Sequence, residues 1–180
     1  MAMDDRGLVG GVLSSQLVEA AKTGDRRAWK DLIEATQGRL YRFCLVLCGD
    51  PAQAEDLCQQ AYLKVYGNLH KLQKNDSFMD WLFRSTRNLF IDEVRAKREQ
   101  PVEITEDMIT GGEFSAHLEV HQVLSQFKTE DRLLLVLVDM EEHSYKDAGL
   151  ILGISEDAVR SRVFRLRKEF LEKWQGRETK

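Results

Sequence analysis

The stretch from Ser144 to Lys168, SYKDAGLILGISEDAVRSRVFRLRK, constrains the fold more than any other part of the chain. Ser144 suits the N-cap of a short helix, and Gly153 can supply the positive φ of a tight turn. Ser155 suits the N-cap of a second helix, whose first turn is acidic as the helix dipole favours. Gly149 lies where two such helices approach most closely. The stretch therefore predicts two short helices joined by a glycine turn, a helix-turn-helix unit.

The second helix of this unit is predicted to have two different faces. One face is an apolar stripe that must be buried, formed by Val159, Val163, Leu166 and Phe170. The other face carries Arg160, Ser161, Phe164, Arg165 and Lys168. Arginine can bind a guanine edge with two hydrogen bonds, serine can reach bases or phosphates, and phenylalanine can contact a thymine methyl. We interpret this element as a recognition helix; the alternative is a basic surface helix at the end of a bundle.

The composition of the chain predicts an all-α fold. Apolar positions mostly follow helical spacing, and the 180 residues include only two prolines. A chain of this length can form one medium domain or two small ones.

Charge is segregated along the chain, although the net charge is −4. Ser155–Lys168 and Arg84–Arg98 each hold five basic residues and two acids, whereas Glu99–Ala116 holds five acids and no lysine or arginine. Two basic surfaces separated by an acidic segment are compatible with nucleic-acid binding despite the overall acidity.

Several classes of function are not supported by the sequence. An odd number of cysteines (Cys44, Cys48 and Cys58), no signal peptide and no apolar run of membrane-spanning length indicate a cytoplasmic protein without membrane insertion. We interpret the cysteines as small buried apolar residues. His117 and His121 lie one turn apart, but no third ligand is evident, so no metal or other cofactor is predicted. Without a nucleophile elbow, P-loop or zinc motif, an enzyme is not expected.

The order of signals predicts four segments: a poorly ordered 1–14, a helical domain over 15–100, an acidic linker over 101–115 and a second helical domain over 116–175. Predicted N-caps are Ser14 or Ser15, Asp25, Asp50, Asp76 or Ser77, Thr129, Ser144 and Ser155.

The helix predicted from Pro51 to Tyr66 has a mixed outer face. Its inward side is small and apolar, and its outer side carries Asp56, Gln59, Gln60 and Leu63. A single exposed leucine is ordinary, but an acid and amides around an apolar centre resemble a docking face for another protein.

The helix predicted to end near Arg98 combines aromatic, cationic and amide side chains. The residues that suit single-stranded DNA are Trp81, Arg84, Arg87, Asn88, Arg95, Lys97 and Arg98. Cations can follow the backbone, aromatic rings can stack on bases, and an amide can read the edge of an extruded base. The alternative is a core tryptophan surrounded by solvated arginines.

Three motifs together resemble the extracytoplasmic-function group of bacterial sigma factors. They are GDPAQAEDLCQQAYLKVY, FMDWLFRSTRNLFIDEVRAKR and the helix-turn-helix, and the resemblance covers roughly residues 17–171. It implies a sigma-two domain, a linker and a sigma-four domain, which bind core RNA polymerase, position it on a promoter and open the DNA. An anti-sigma factor is a further partner that the resemblance implies.

The resemblance also implies a role for each candidate residue. Asp56, Gln59, Gln60 and Leu63 fall on the helix that docks to the polymerase. Trp81, Arg84, Asn88 and Arg95 fall in the segment that handles the −10 element, with Asn88 near the pocket for an extruded base. Arg160, Ser161, Phe164 and Arg165 fall on the helix that reads the −35 element.

Two rival interpretations remain at this point. A self-sufficient dimeric helix-turn-helix regulator explains Ser144–Lys168 but gives no purpose to the Asp56–Leu63 and Trp81–Asn88 faces. A sigma-like interaction protein that sequesters partners without promoting transcription does not need to retain Asn88 and Arg160.

Overall fold

The computed structural model describes residues 8–9, 12–98 and 118–178. Within these residues the chain forms eight α-helices and one hairpin of two-residue strands, which confirms the predicted all-α fold of both units. The elements are β1 (Leu8–Val9), β2 (Val12–Leu13), α1 (Ser15–Lys22), α2 (Arg26–Cys48), α3 (Pro51–Asn68), α4 (Phe78–Arg98), α5 (Leu118–Leu124), α6 (Thr129–Leu135), α7 (Tyr145–Leu152) and α8 (Glu156–Glu178). The predicted linker 101–115 and most of the predicted segment 1–14 lie outside the described residues.

The helix boundaries in the N-terminal unit, α1–α4, follow local capping signals. The Ser14 side chain accepts from the amide of Gln16, and the Asp25 side chain accepts from the amides of Arg27 and Ala28. Helix α2 ends and helix α3 begins within three residues. Gly49 ends α2 in the left-handed conformation, Asp50 caps α3, and Pro51 occupies its first position. These predicted starts are confirmed.

The connection after α3 begins two residues later than predicted, because the sequence placed the end of this helix at Tyr66. Helix α3 continues through Gly67 to Asn68, and two 3₁₀ turns then lead into α4, at Leu69–Lys71 and Asn75–Ser77. The second turn is tied to α1, because the Asn75 side chain donates to the Ser15 carbonyl oxygen and to the Glu19 carboxylate. The connection is therefore compact, and it fixes where α4 begins.

The core of the N-terminal unit is aromatic at its centre. The rings of Phe43 on α2 and Phe83 on α4 lie 4.6 Å apart, and both are fully buried. Sequence periodicity did not single out Phe83 or Thr86, which is also buried and donates its hydroxyl to the Leu82 carbonyl oxygen. Trp81 is half-buried, which is compatible both with stacking on DNA and with packing in the core. Helix α4 packs through Phe78, Leu82 and Phe83, and Trp81 lies at the edge of that face.

In the C-terminal unit, α5–α8, one predicted helix start is wrong by one residue. Thr129 was expected to cap the helix, but it is the first helical residue and Lys128 occupies the N-cap without a side-chain hydrogen bond. The Thr129 hydroxyl instead accepts from Arg132. Helix α6 then widens into a π-helical turn over Val136–Met140, which ends at Glu141.

The two units pack directly against each other. Helix α7 lies against α4, and α6 lies against α2. The first helix of the helix-turn-helix thus contacts the same helix that carries the aromatic and cationic candidate residues.

Candidate nucleic-acid interface

The helix-turn-helix is held by short-range contacts. The Ser144 hydroxyl accepts from the amide of Asp147, and Gly153 adopts φ 70° at the turn. The amide of Ile154 donates to the Gly149 carbonyl oxygen at 3.0 Å. A Cβ on Gly149 would stand 2.7 Å from the carbonyl oxygen of Ile154. The turn is therefore close enough to the first helix that only glycine fits there without a shift.

The recognition helix, α8, presents the predicted exposed face. Val159 and Val163 are fully buried, as the apolar stripe predicted. On the opposite side all five candidate residues are exposed: Arg160, Ser161, Phe164, Arg165 and Lys168. The Phe164 side chain is 77% exposed although it is a large apolar group. An aromatic residue left in solvent among cations is a feature of a binding surface rather than of packing.

Not all the arginines of α8 are available to a ligand. Arg162 donates to Asp131 at 2.7 Å, and Arg167 donates through Nε to Asp139 at 3.0 Å. The hydrogen bond to Asp139 raises the pKa of Arg167, which keeps this guanidinium charged. These two arginines tie α8 to α6 and the π-helical turn, so they belong to the structure of the unit. Long-range pairing of this kind gives no signal in the local sequence.

Arg160 is free to change partner. It contacts Glu156 at 3.1 Å one turn earlier, and both side chains are largely exposed. Such an exposed pair contributes only about 0.3–0.5 kcal/mol, so a phosphate or a base edge can replace the glutamate. Arg165 has no ion pair among the described residues.

The outer face of α3 is also exposed as predicted. Asp56, Gln59, Gln60 and Leu63 all lie in solvent, and Leu63 is 74% exposed. Tyr66, three residues later on the same face, is half-exposed and was missed by sequence reasoning, although its spacing from Leu63 was a usable signal. The surface is a polar face with an apolar centre, suited to a protein partner.

On α4 the candidate residues are only partly brought together. Trp81, Arg84 and Asn88 follow helical spacing along one stripe, whereas Arg87 lies off that stripe. The side chains of Arg95, Lys97 and Arg98 lie outside the described part of the structure. Trp81 and Arg84 are half-buried and Asn88 is exposed. The buried Nε atom of Arg84 finds no hydrogen-bond partner among the residues that the structure describes.

Trp81 and Arg84 line a cleft of about 490 Å³. Lys71 and Lys74, from the connection before α4, line the same cleft and add positive charge to it. Sequence reasoning had not assigned these lysines, because their nearness to Trp81 depends on the two 3₁₀ turns. The cleft thus brings cations and an aromatic ring together, as single-strand binding requires, although the carboxylates of Asp80 and Asp147 also line it.

Other kinds of site find no support in the described residues. No group of three or more histidine, cysteine, aspartate or glutamate side chains could hold a metal ion there. No helix in the described ranges is long and apolar enough to cross a membrane.

A helix-turn-helix with an exposed basic face, and a cleft lined by Trp81, Arg84 and two lysines, are features of a DNA-binding protein. A family model described as Sigma-70 region 2 matches residues 32–100, and one described as Sigma-70, region 4 matches residues 117–170. The chain belongs to the extracytoplasmic-function (ECF) group of RNA polymerase sigma factors. As a member of this group it is an alternative sigma factor, a regulatory protein that directs RNA polymerase to promoters.

Individual relatives agree with this assignment. The chain is 36% identical to the ECF sigma factor SigM of Bacillus subtilis over 140 residues, which cover 72% of this chain and 84% of SigM. It is 32% identical to the ECF sigma factor SigE of Mycolicibacterium smegmatis over 168 residues, which cover 82% of this chain and 63% of SigE. Among solved structures, the sigma factor RpoE in complex with the anti-sigma factor NepR from Bartonella quintana has the same fold. That comparison gives a TM-score of 0.66 at 23% identity and covers 81% of this chain and 96% of RpoE.

Proposed function

We propose that three separate surfaces divide the work of promoter recognition. The outer face of α3 docks to core RNA polymerase, the face of α4 handles the −10 element, and the exposed face of α8 reads the −35 element. The observation that carries the proposal is the exposure of Phe164 beside Arg160 and Arg165, on a helix whose opposite side buries Val159, Val163 and Leu166.

The −35 element is read in duplex form. Arg160 and Arg165 can each bind a guanine edge through two hydrogen bonds, and Phe164 can contact a thymine methyl. Ser161 already donates its hydroxyl to the carbonyl oxygens of Asp157 and Ala158, so it offers a lone pair rather than a free donor. Lys168 suits a phosphate contact that sets register without reading sequence.

The −10 element is handled as partly single-stranded DNA. Each base-pair step costs on the order of 1.4 kcal/mol of stacking, so a protein of this size cannot melt a dozen pairs alone. It can capture one or two extruded bases and bias the opening by the much larger polymerase. In this proposal Trp81 stacks on a base, Asn88 reads an exposed base edge, and Arg84 and Arg87 contact the backbone together with Arg95, Lys97 and Arg98.

The partners follow from this division. Core RNA polymerase binds Asp56, Gln59, Gln60 and Leu63, and Tyr66 extends the apolar centre of that face. RpoE of Bartonella quintana was solved with an anti-sigma factor, and we infer an inhibitor of the same kind for this chain. Because its partner is the polymerase, we place the protein in the bacterial cytoplasm.

Reconstitution with bacterial core RNA polymerase, followed by runoff transcription on fragmented genomic DNA, tests the proposal. Discrete transcripts are expected from the wild-type chain and from Glu34→Arg, which reverses an exposed acid on α2. They should be lost with Asp56→Arg, because polymerase binding fails, and with Asn88→Ala, although polymerase binding persists. Tight duplex binding by the isolated chain without polymerase binding would instead favour a self-sufficient regulator. Polymerase binding without any transcript would favour the sequestering protein.

A further inference from the structure

The contact between the two units contains a buried ion cluster. Glu141, just after the π-helical turn, has a side chain that is only 2% exposed. Both of its oxygens are paired with arginines of α2: Arg39 donates through Nε, and Arg42 donates through an Nη atom at 2.9 Å. The carboxylate of the C-terminal unit is therefore bound by the N-terminal unit.

A second pair crosses the same interface. The Nδ1 atom of His143 lies 2.9 Å from the Asp80 carboxylate on α4. The His143 ring also meets Phe83 edge-on, with centroids 5.5 Å apart. Glu141 and His143 thus both insert into the N-terminal unit, on either side of Glu142, which takes the left-handed backbone conformation at φ 55°.

This packing brings α7 over the candidate −10 surface. Asp147 and Leu150 of α7 line the same cleft as Trp81 and Arg84. The Asp147 carboxylate would repel a phosphate backbone that entered the cleft. Helix α7 therefore narrows the approach to Trp81 from this side and opposes the entry of a single strand while it remains in place.

Promoter geometry makes the packing incompatible with full DNA binding. The centres of the −35 and −10 elements are about 25 base pairs apart, or roughly 85 Å at 3.4 Å per base pair. In this structure α7, which leads directly into the −35 reading helix, contacts the −10 helix. The two readers cannot occupy their elements together until the units separate.

We propose that this interface is a self-inhibitory latch, in which Glu141 on Arg39 and Arg42, with His143 on Asp80, holds the C-terminal unit over the −10 surface. The occupant of the −10 surface in the free protein is thus the chain's own helix α7. Core polymerase opens the latch by binding the separated units more tightly than the packed ones. The claim that the closed form excludes DNA depends on the proposed roles of α4 and α8. The packing of the two units against each other does not depend on those roles.

The first experiment compares Glu141→Gln with Glu142→Gln in the full chain. Both variants remove one negative charge, but only Glu141 is paired with the arginines, and Glu142 is exposed. Small-angle X-ray scattering should show a larger radius of gyration for Glu141→Gln alone. Hydrogen exchange should rise in α7 and in the first turns of α4, while the interior of each unit stays protected. An unchanged radius and exchange pattern in a folded Glu141→Gln protein overturns the latch.

Blocking of the −10 surface is measured separately by anisotropy of a fluorescein-labelled single strand of about 12 nucleotides, a length within the usual range of single-strand sites. If the closed form holds about 90% of the population, opening strengthens apparent affinity by up to about tenfold. We expect a gain of at least threefold for Glu141→Gln and none for Glu142→Gln. An open Glu141→Gln chain with unchanged affinity overturns the blocking role.

Arg42→Gln is a second test that does not depend on the folding of the Glu141 variant, because it weakens the same ion cluster from the N-terminal unit while Arg39 stays paired with Glu141. It should open the chain less than Glu141→Gln does, and the double variant should open it no further than Glu141→Gln alone, because that substitution already removes the pair with Arg42. A double variant that opens well beyond Glu141→Gln, or an Arg42→Gln chain more open than Glu141→Gln, contradicts the latch. Neither result affects the sigma-factor assignment, which fails only if wild-type chain and core polymerase give no promoter-dependent transcript.

Discussion

Gly149 lies against the carbonyl oxygen of Ile154 so closely that a Cβ would stand 2.7 Å from it. Alanine improves helix propensity by up to about 1 kcal/mol over glycine, but overpacking against backbone costs about 1–3 kcal/mol. We therefore predict that Gly149→Ala lowers the free energy of unfolding by about 1 kcal/mol. Chemical denaturation measures it, with Gly67→Ala as the control. A Cβ at Gly67 meets nothing within 4 Å, so that variant should gain stability. A stabilised Gly149→Ala protein would contradict the close approach.

Adjacent residues of α8 separate folding from DNA reading. Val163 is fully buried and Phe164 is 77% exposed. Val163→Ala should lower the free energy of unfolding by about 2 kcal/mol through lost burial and a small cavity. Phe164→Ala should change it by less than about 0.5 kcal/mol.

Phe164 is expected to contribute to promoter binding although it contributes little to stability. Phe164→Ala should weaken holoenzyme binding to its own promoter by at least about fivefold, the lower end of a single base contact. The loss should disappear on a promoter fragment whose −35 element is scrambled, because no specific contact remains there. Footprinting of both fragments measures it. An equal loss on both fragments would show that Phe164 does not read sequence.

Local signals in the sequence were sufficient for most helix boundaries. Asp25, Gly49, Asp50 and Ser144 act on groups within four residues, so their effect does not depend on the tertiary fold. The start at Thr129 was wrong by one residue, because Lys128 can hold the N-cap conformation without a side-chain hydrogen bond. Capping rules indicate where a helix can start, and packing decides between neighbouring positions.

The interface between the units could not be predicted in the same way. Arg39 and Glu141 are 102 positions apart, and nothing in the sequence near either residue indicates the pairing. The same holds for Arg162 and Arg167, which counted as part of a basic surface but pair with aspartates about thirty positions earlier. Sequence patterns identified which faces of α3 and α8 are exposed, whereas ion pairing decided which charges remain available.

The cysteines predict a difference in chemical reactivity. A hydrogen bond between the two thiols, together with burial, raises the pKa of Cys44, and the same hydrogen bond lowers the pKa of Cys58. The thiolate is the reactive form, and Cys44 is also fully buried whereas Cys58 is half-buried. Iodoacetamide at pH 8 should therefore label Cys58 on the order of tenfold faster than Cys44.

Peptide mass spectrometry over time measures both rates in one sample. Urea sufficient to unfold the chain is the control, since it removes burial and the hydrogen bond and should make the rates similar. Equal rates in the native protein would contradict both the deeper burial of Cys44 and the opposite shifts of the two pKa values.

Tyr62 predicts how stability depends on pH in the alkaline range. Its hydroxyl lies 2.9 Å from that of Thr36, which donates its only hydrogen to the Leu32 carbonyl oxygen, so Tyr62 is the donor. Burial raises the pKa of Tyr62 above its ordinary value of 10. Above pH 10 the unfolded chain therefore releases this proton while the folded chain keeps it. The stabilisation from the protonated, buried Tyr62 is fully present below pH 10. Above pH 10 the free energy of unfolding falls by up to about 1.4 kcal/mol per pH unit.

Tyr62→Phe should remove this alkaline loss. At pH 8 the variant should lower the free energy of unfolding by only about 0.5 kcal/mol, near the low end for a hydrogen bond, because Thr36 keeps Leu32 as its acceptor. Urea denaturation of both proteins at pH 8 and pH 11 measures the difference, and the stability curves should converge or cross as pH rises. Tyr66→Phe, at a half-exposed ring, is the control and should leave the slope of the wild-type curve unchanged. Parallel curves for wild type and Tyr62→Phe would mean that Tyr62 ionises equally in both states, contrary to its burial.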